Sequence, residues 1–310
     1  MGLSVPEVVI LAGGTGGAKL ARGMADVVGP GELAAVVNTA DDIEIYGAHV
    51  SPDPDLVSFW LADLIDERGW GLRDDTFTVM DALRELGVDV WFNLGDRDLA
   101  WCVERARMIA ERSTPTAALA HLNEAIGLRA SVLPMCDQSV RTWVRTPGAG
   151  WSAFQQFMIR ERARGPVEGL EYRGAEHAVP TAEVLEAIAG ARAIVIGPSN
   201  PLASIGPILA VPGMREALVA ARAPVVAVSP IVGGRVLKGP TEAFMAHAGL
   251  SCDGAGVAAF YGELLDGIVA DEDIPGLPLL WTSTDMSDAA GRARVAEETL
   301  TFATGLAGRG

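Results

Sequence analysis

The sequence lacks the features that mark membrane and secreted proteins. No stretch of about 18 apolar residues is present, so no membrane span is indicated. The first residues also lack the order of basic, apolar and small residues that forms a signal peptide. Cys102, Cys136 and Cys252 are odd in number and widely spaced, which fits neither a disulfide framework nor a zinc pattern. We therefore expect a cytoplasmic protein with reduced cysteines.

Positive charge is scarce. The 310 residues include 24 Lys and Arg against 40 Asp and Glu, a formal net charge of −16. Such a surface repels a phosphate backbone, so a nucleic-acid partner is not expected. Lysine is the rarer of the two basic residues, since only Lys19 and Lys238 are present, and both lie close to glycines. An ammonium group in such a place suits contact with phosphate, so both lysines are candidates for binding it.

Motifs of several common enzyme classes are missing. The histidines show no H-E-x-x-H spacing, and no G-x-S-x-G motif is present. The glycine loop "GGTGGAKL" is not a P-loop, because Leu20 stands after Lys19 where Ser or Thr is required. It is also a poor dinucleotide fingerprint, because Lys19 takes a Gly or Ala position and Asn38 replaces the acidic residue after the second strand. Nicotinamide redox chemistry is therefore disfavoured.

Short β-branched runs alternate with helical segments along the chain. Helical spacing follows the first run and recurs at 56–69 and 185–191. The alternation predicts an α/β fold with a doubly wound, mostly parallel, Rossmann-like sheet. The predicted strands are 7–11, 33–38, 88–93, 191–197, 223–229 and 277–284.

Residues 136–180 interrupt this rhythm. "SVRTWVRTPGAGW" predicts a short hairpin, and the following segment predicts a helix or strand with a basic edge. We therefore predict a nucleotide-binding core formed by 1–135 and 181–310, with 136–180 as an inserted subdomain or lid.

The residues that follow the predicted strands indicate a ligand site. They read "GGTGG", "NTADD", "LGDRD", "GPSNP", "SPIVGG" and "TDM", all glycine-rich or polar. In open α/β sheets the ligand crevice lies outside the carboxyl ends of the strands. These segments are therefore predicted to surround one cleft.

The glycine loop is the first candidate element of that cleft. Its residues allow a sharp turn that aims N–H groups at an anion from a helix N-terminus. The alternative is a tight strand-to-helix turn without a ligand. The candidate phosphate-binding residues of the loop are Gly13, Gly14, Thr15, Gly16 and Gly17.

Carboxylates follow the second predicted strand at Asp41, Asp42, Asp53 and Asp55. Magnesium takes one or two carboxylates together with phosphate oxygens, so metal or substrate contact is one interpretation. The other is structural, with Asp53 as the N-cap of a helix that starts at Pro54, and Asp41 or Asp42 as a turn residue.

Further candidates lie in the later segments. Arg97 could clamp a phosphate or an acidic heterocycle, or it could be a solvated residue at a capped helix start. Ser199, Asn200 and Lys238 lie after later strands, where small polar groups suit nucleotide recognition. Dense proline in the same segments also fits rigid loops without a ligand.

Seven ordered blocks, from the glycine loop to "AVSPIVGGRVLKGP", resemble one known family across about residues 8–285. It is the 2-phospho-L-lactate transferase family of coenzyme F(420) biosynthesis, whose actinobacterial members are called phosphoenolpyruvate transferases. The resemblance implies a guanosine-diphosphate-activated three-carbon acid as donor, enolpyruvyl or lactyl. The ribityl hydroxyl of the deazaflavin Fo attacks the phosphorus next to the acid, and GMP leaves.

The resemblance also implies site residues and partners. Asp53 and Arg97 match residues that contact Fo, and Asp42 and Asp53 match the carboxylates of a Mg²⁺ site, which makes all three candidate catalytic residues. A homodimer is implied as well. A related family of nucleotide-sugar-binding regulatory proteins, the gluconeogenesis factors, is the alternative, since it shares the glycine loop and an "ADD" segment. Here "ADD" leads into "IEIYG" and then "SPDPD", which favours the transferase.

Overall fold

The computed structural model describes residues 6–236 and 239–307. The strands of this part of the chain are β1 (Val8–Ala12), β2 (Leu33–Val37), β3 (Ile43–Ile45), β4 (Ala48–Val50), β5 (Ser131–Pro134), β6 (Arg141–Thr146), β7 (Gly150–Ala153), β8 (Gly169–Arg173), β9 (Ala193–Ile196), β10 (Val225–Val228), β11 (Ile231–Val232), β12 (Arg235–Val236), β13 (Gly267–Ala270) and β14 (Leu279–Trp281). The α-helices are α1 (Gly14–Val28), α2 (Pro52–Leu61), α3 (Thr78–Glu85), α4 (Asp96–Ala110), α5 (Pro115–Ala125), α6 (Ala182–Gly190), α7 (Gly206–Ala210), α8 (Met214–Ala220), α9 (Thr241–His247), α10 (Gly254–Tyr261) and α11 (Ala289–Ala307).

A seven-stranded sheet forms the centre of the molecule, in the order β5-β2-β1-β9-β10-β13-β14. Every pairing within it is parallel. The chain winds outward from β1 in one direction through β2 and β5, and then in the other direction from β9 to β14. This is the doubly wound order, with its switch point between β1 and β9, so the predicted fold class is confirmed.

The strands are buried on both faces, as parallel strands must be. Along β1, Val8 and Ile10 point into one core with Val57 of α2 and Val295 of α11. The alternate residues Val9 and Leu11 point into a second core on the other face of the sheet. α1, α2 and α11 pack on one another over the first face. The continuous apolar runs of the sequence result from this burial on both faces.

Five of the six predicted strands are confirmed within a few residues. The prediction at 88–93 is wrong, because this segment is an irregular connection between α3 and α4. Its Val90 and Phe92 pack against Met80 and Leu94, outside the central sheet. In the central sheet, β5 lies beside β2. Neither β5 nor β13 was predicted as a strand. The two predicted helices exist as α2, which starts before the predicted 56–69 and ends at Leu61, and as α6.

Residues 136–180 contain a separate three-stranded antiparallel sheet in the order β7-β6-β8. The predicted hairpin is β6 and β7, and the segment predicted as a helix or strand contains a π-helical turn at Gln156–Arg160. Val144 and Phe157 pack into the core on one face of the central sheet. The domain boundaries and the lid function stay predictions.

No single helix in the described residues is long and apolar enough to cross a membrane. The bent pair formed by Pro201–Ala210 and Met214–Ala220 has the length and composition together, with an angle of 87° between its halves. Ile205, Ile208 and Leu209 of this pair belong to the protein core.

Candidate active site

The glycine loop lies at the switch point of the sheet, between the ends of β1 and β9. Ser199 Oγ accepts a hydrogen bond from Gly13 N at 3.3 Å and donates one to the carbonyl oxygen of Gly13. The backbone N–H groups of Thr15 and Gly16 lie in the first turn of α1, where a helix offers no internal acceptor. These N–H groups are candidate anion donors, and anion binding by the loop stays a prediction.

Close packing also requires glycine in this loop. A Cβ on Gly16 would lie 1.9 Å from the carbonyl oxygen of Pro198, and Gly14 has a φ of +61°. A Cβ on Gly17 would lie 2.8 Å from Ser199 Oγ. The glycines thus bring α1 against the segment after β9, whether or not an anion is bound.

Asp53 of α2 forms hydrogen bonds to α1 and to the segment after β2 at the carboxyl edge of the sheet. Its Oδ1 accepts a hydrogen bond from Gly14 N at 2.8 Å, and its Oδ2 accepts one from Asn38 Nδ2 at 3.0 Å. The alternative interpretation, with Asp53 as the N-cap of a helix that starts at Pro54, is wrong, because α2 begins at Pro52 after the N-cap Ser51. Burial raises the pKa of Asp53 to about 6, against the two hydrogen bonds, which lower it.

Asp42 and Asp41 lie beside Asp53. Asp42 accepts hydrogen bonds from Ser51 Oγ at 2.7 Å and pairs with His49 Nε2 at 3.0 Å. Asp41 is buried, and its Oδ1 has no hydrogen-bond partner in the described part of the chain. Burial, then the charges of Asp53 and Asp42, raise the pKa of Asp41 well above its ordinary value. Three buried carboxyl groups therefore repel one another through their charges.

Asp41, Asp42 and Asp53 together offer the hard oxygen donors that a divalent cation prefers. The mutual repulsion of Asp41, Asp42 and Asp53 is what a cation would relieve, and the unpartnered Asp41 Oδ1 is an oxygen donor without a bond. Asp42 and Asp53 keep lone pairs beyond the hydrogen bonds described above. Magnesium prefers such hard oxygen donors and completes its shell with water or phosphate oxygens.

A buried ion pair next to the site was not predicted. Asp55, in the first turn of α2, accepts hydrogen bonds from both terminal nitrogens of Arg105 and from Trp101 Nε1. Trp101 and Arg105 are one helical turn apart on α4, but this spacing gives no signal for a partner fifty residues away. Asp55, Asp98 and Cys102 have possible ligand atoms within 4.8 Å of one another. Arg105 already neutralises Asp55, which makes this group a poor cation site.

Arg97 lies in the first turn of α4, and its side chain is exposed. Asp75 caps this turn, since it accepts hydrogen bonds from Arg97 N at 2.9 Å and Asp98 N at 3.0 Å. Arg97 Nη1 donates to the carbonyl oxygen of Arg73 at 3.2 Å. The structure thus places Arg97 at a helix start without joining it to the glycine loop through a hydrogen bond in the described residues.

The remaining candidates have mixed surroundings. Asn200 caps the segment Pro201–Ile205 and donates to Thr241 Oγ1 at 3.3 Å, so its side chain has a structural role. Lys19 lies on α1 with Nζ 6.0 Å from the centre of the Trp60 ring on α2. Lys238 lies outside the described residues. Contact of these three residues with a nucleotide stays a prediction.

The doubly wound sheet, its glycine loop at the switch point and the carboxylates beside it define an α/β protein whose candidate site residues lie at the carboxyl edge of the sheet. A family profile described as 2-phospho-L-lactate transferase CofD matches residues 8–286. The chain belongs to this family, and the resemblance seen in the motifs is confirmed.

Relatives match over most of their length. A 2-phospho-L-lactate transferase from Methanosarcina mazei is 40% identical over 266 residues, covering 86% of this chain and 87% of the relative. A phosphoenolpyruvate transferase from Kitasatospora aureofaciens is 43% identical, covering 86% of this chain and 85% of the relative. A crystal structure of a UPF0052-family protein from Bacillus halodurans has a TM-score of 0.63 at 18% identity, covering 95% of this chain and 99% of that one. This last likeness shows the fold alone.

Proposed function

We propose that the protein transfers a phosphoenolpyruvyl or 2-phospho-L-lactyl group from its guanosine-diphosphate-activated form to the ribityl hydroxyl of the deazaflavin Fo. The observation that carries the proposal is the family membership, together with a helix N-terminus and a carboxylate cluster at the same sheet edge. The hydroxyl oxygen forms a bond to the phosphorus next to the acid. The bond from that phosphorus to GMP breaks, and the hydroxyl proton is released.

Phosphoryl transfer of this kind depends on positioning and on neutralisation of charge. The N–H groups of Thr15 and Gly16 would bind the diphosphate of the donor. Asp53 and Arg97 would contact Fo and orient its hydroxyl. The leaving group is already a phosphate, so no strong general acid is required.

Asp42 and Asp53 would hold Mg²⁺, and Asp41 lies next to both. When bound, the ion supplies positive charge to the phosphate oxygens. Because this chain carries a net charge of −16, an anionic donor needs such local compensation. We also propose a cytoplasmic homodimer as the working form, for which mass measurement in solution is the direct test.

The experiment mixes the purified protein with Fo, Mg²⁺ and either the enolpyruvyl or the lactyl diphosphoguanosine donor. We expect GMP release and a deazaflavin that gains one phosphoenolpyruvyl or phospholactyl unit. Asp53→Ala and removal of Mg²⁺ should each abolish GMP release and product formation. The substitution removes a proposed Mg²⁺ ligand, and the second treatment removes the ion itself. Asp63→Asn is the matched control, since Asp63 is an exposed carboxylate just past α2 that pairs with Arg22.

No product from either donor would contradict the proposal. Tight binding of a uridine-diphosphate sugar in the same sample would then support the regulatory alternative. The family match favours the transferase over that alternative.

A further inference from the structure

A buried ion pair joins α2 to α4. Arg105 of α4 is 2% exposed, and Asp55 of α2 is 4% exposed. Arg105 Nη1 donates to Asp55 Oδ2 at 3.0 Å, and Arg105 Nη2 donates to Asp55 Oδ1. Trp101 Nε1 donates to the same Oδ1 at 2.8 Å. Three hydrogen bonds from one face of α4 therefore converge on a single carboxylate.

The pair is linked to both carboxylates of the proposed metal site. Asp55 lies two residues after Asp53, in the same first turn of α2. Arg105 Nη1 also donates to the carbonyl oxygen of His49 at 3.1 Å. The imidazole of His49 in turn pairs with Asp42 at 3.0 Å. One guanidinium thus contacts the segments that carry Asp53 and Asp42.

The pair also fixes the helix that carries Arg97. Arg97, Trp101 and Arg105 follow one another at intervals of four residues, so they share one face of α4. Two of the three are held by Asp55. Rotation of α4 about its axis would break these hydrogen bonds. It would also change the position of Arg97 relative to Asp53.

The packing of α2 against α4 does not by itself require this ion pair. Trp101 packs with Phe59 and Leu122 in an apolar cluster that already joins α2 and α4 to α5. Replacing a buried ion pair by apolar side chains is often neutral or stabilising. An Arg–carboxylate fork differs from apolar contact because it fixes direction as well as distance.

We propose that Asp55 and Arg105 form a positioning pair that sets the distance and orientation between Asp53 and Arg97. The inference rests on the proposed function, in which these two residues contact the deazaflavin acceptor. Because both side chains are buried, we assign Asp55 and Arg105 no direct contact with the acceptor. The pair therefore acts mainly on acceptor binding, because the donor diphosphate is also bound by the N–H groups of the glycine loop.

The test compares steady-state kinetics of the wild type with Arg105→Lys, Arg105→Met and Trp101→Phe. Each reaction is run with Fo varied at saturating donor, and then with donor varied at saturating Fo. We expect Arg105→Met to raise KM for Fo about tenfold or more and to lower kcat, since misplacement by ~1 Å costs up to about 10²-fold. Arg105→Lys should lie between it and the wild type, because it keeps the charge and loses the fork.

Several controls separate positioning from loss of fold. Trp101→Phe keeps the aromatic ring and removes one hydrogen bond, so it should fold and show a smaller rise in KM for Fo. Arg107→Met is the matched control, because Arg107 is exposed on the same helix and pairs only with Glu104 and Glu111 among the described residues. The KM for donor should rise less than the KM for Fo in every variant that folds, because the N–H groups of the glycine loop still bind the diphosphate.

The outcomes are distinct. Equal changes in both KM values, or a loss of kcat that follows the melting temperature with both KM values unchanged, would overturn the positioning role. A wild type without turnover would contradict the proposed function itself. Wild-type turnover with an unchanged KM for Fo in Arg105→Met would contradict this inference alone.

Discussion

Asp98→Asn should stabilise the protein at alkaline pH. Asp98 lies in the first turn of α4, and it is 9% exposed. Burial and, after it, the carboxylates of Asp55 and Asp75 raise its pKa to about 7, although the charge of Arg105 lowers it. The folded protein therefore holds Asp98 neutral at a pH where the unfolded chain would ionise it.

The sign and size of the expected change in the free energy of unfolding follow from the raised pKa of Asp98. A carboxyl pKa raised on folding gives a contribution that is complete below the unfolded value of 3.8 and is lost as the pH rises to about 7. With about 1.4 kcal/mol for each pKa unit, the ionised Asp98 would cost the folded state roughly 4 kcal/mol at most. Asparagine has no such charge, and its amide can donate to the neighbouring carboxylates.

Urea unfolding of the wild type and Asp98→Asn across about pH 4 to 8 measures the effect. We expect equal stability at the acidic end and a variant that is more stable by up to about 4 kcal/mol at the alkaline end. Asp96→Asn is the control of opposite sign. Hydrogen bonds from Thr76, Val79 and Thr78 lower the pKa of Asp96 to about 2, so losing its charge should destabilise at neutral pH. A difference between Asp98→Asn and the wild type that does not change with pH would refute the reasoning.

Two further substitutions test the glycine loop. Gly16→Ala places a Cβ 1.9 Å from the carbonyl oxygen of Pro198, so we expect a loss of about 3 kcal/mol or more in urea unfolding. Gly305→Ala, in open space on α11, should instead stabilise by about 0.5–1 kcal/mol, and equal effects of the two would contradict the packing argument. Asn38→Ala removes the donor to Asp53 Oδ2 and should cost about 1–3 kcal/mol, with a further rise in the pKa of Asp53 seen by NMR titration. An unchanged pKa would show that this hydrogen bond does not control the charge of Asp53.

The sequence predicted the sheet edge because each of its elements carries a local signal. A β-branched run buried on both faces specifies a parallel strand without reference to the rest of the chain, as at Val8–Ala12 and Leu33–Val37. The residues after such strands must lie at the carboxyl edge, which places the glycine loop beside Asn38 and Ser199. Topology then brought Asp53 to the same edge, where the alternative interpretation of this residue as an N-cap is wrong.

Other features depend on tertiary contacts that no local pattern reveals. "VDVWFN" at 88–93 has the composition of a strand, yet Val90 and Phe92 find their apolar partners in the small cluster around Met80. Because Val90 and Phe92 pack in that cluster, apolar burial does not favour pairing of this segment with the central sheet. The strand Ser131–Pro134 has only four residues and ends in proline, a weak signal that pairing with β2 overrides. The ion pair of Asp55 and Arg105 joins positions fifty residues apart, which periodicity cannot detect.

The helix N-terminus at the glycine loop presents a conflict that the proposed chemistry resolves. Asp53 already accepts a hydrogen bond from Gly14 N, so a carboxylate occupies the positive end of α1 where the donor diphosphate is proposed to bind. Two anions at one helix end repel each other, and Asp41 and Asp42 add to the repulsion. A divalent cation held by Asp42 and Asp53 would turn that repulsion into attraction, because carboxylate and phosphate oxygens would then share one ion. Donor binding should accordingly need Mg²⁺ in the wild type and need it less in Asp53→Asn.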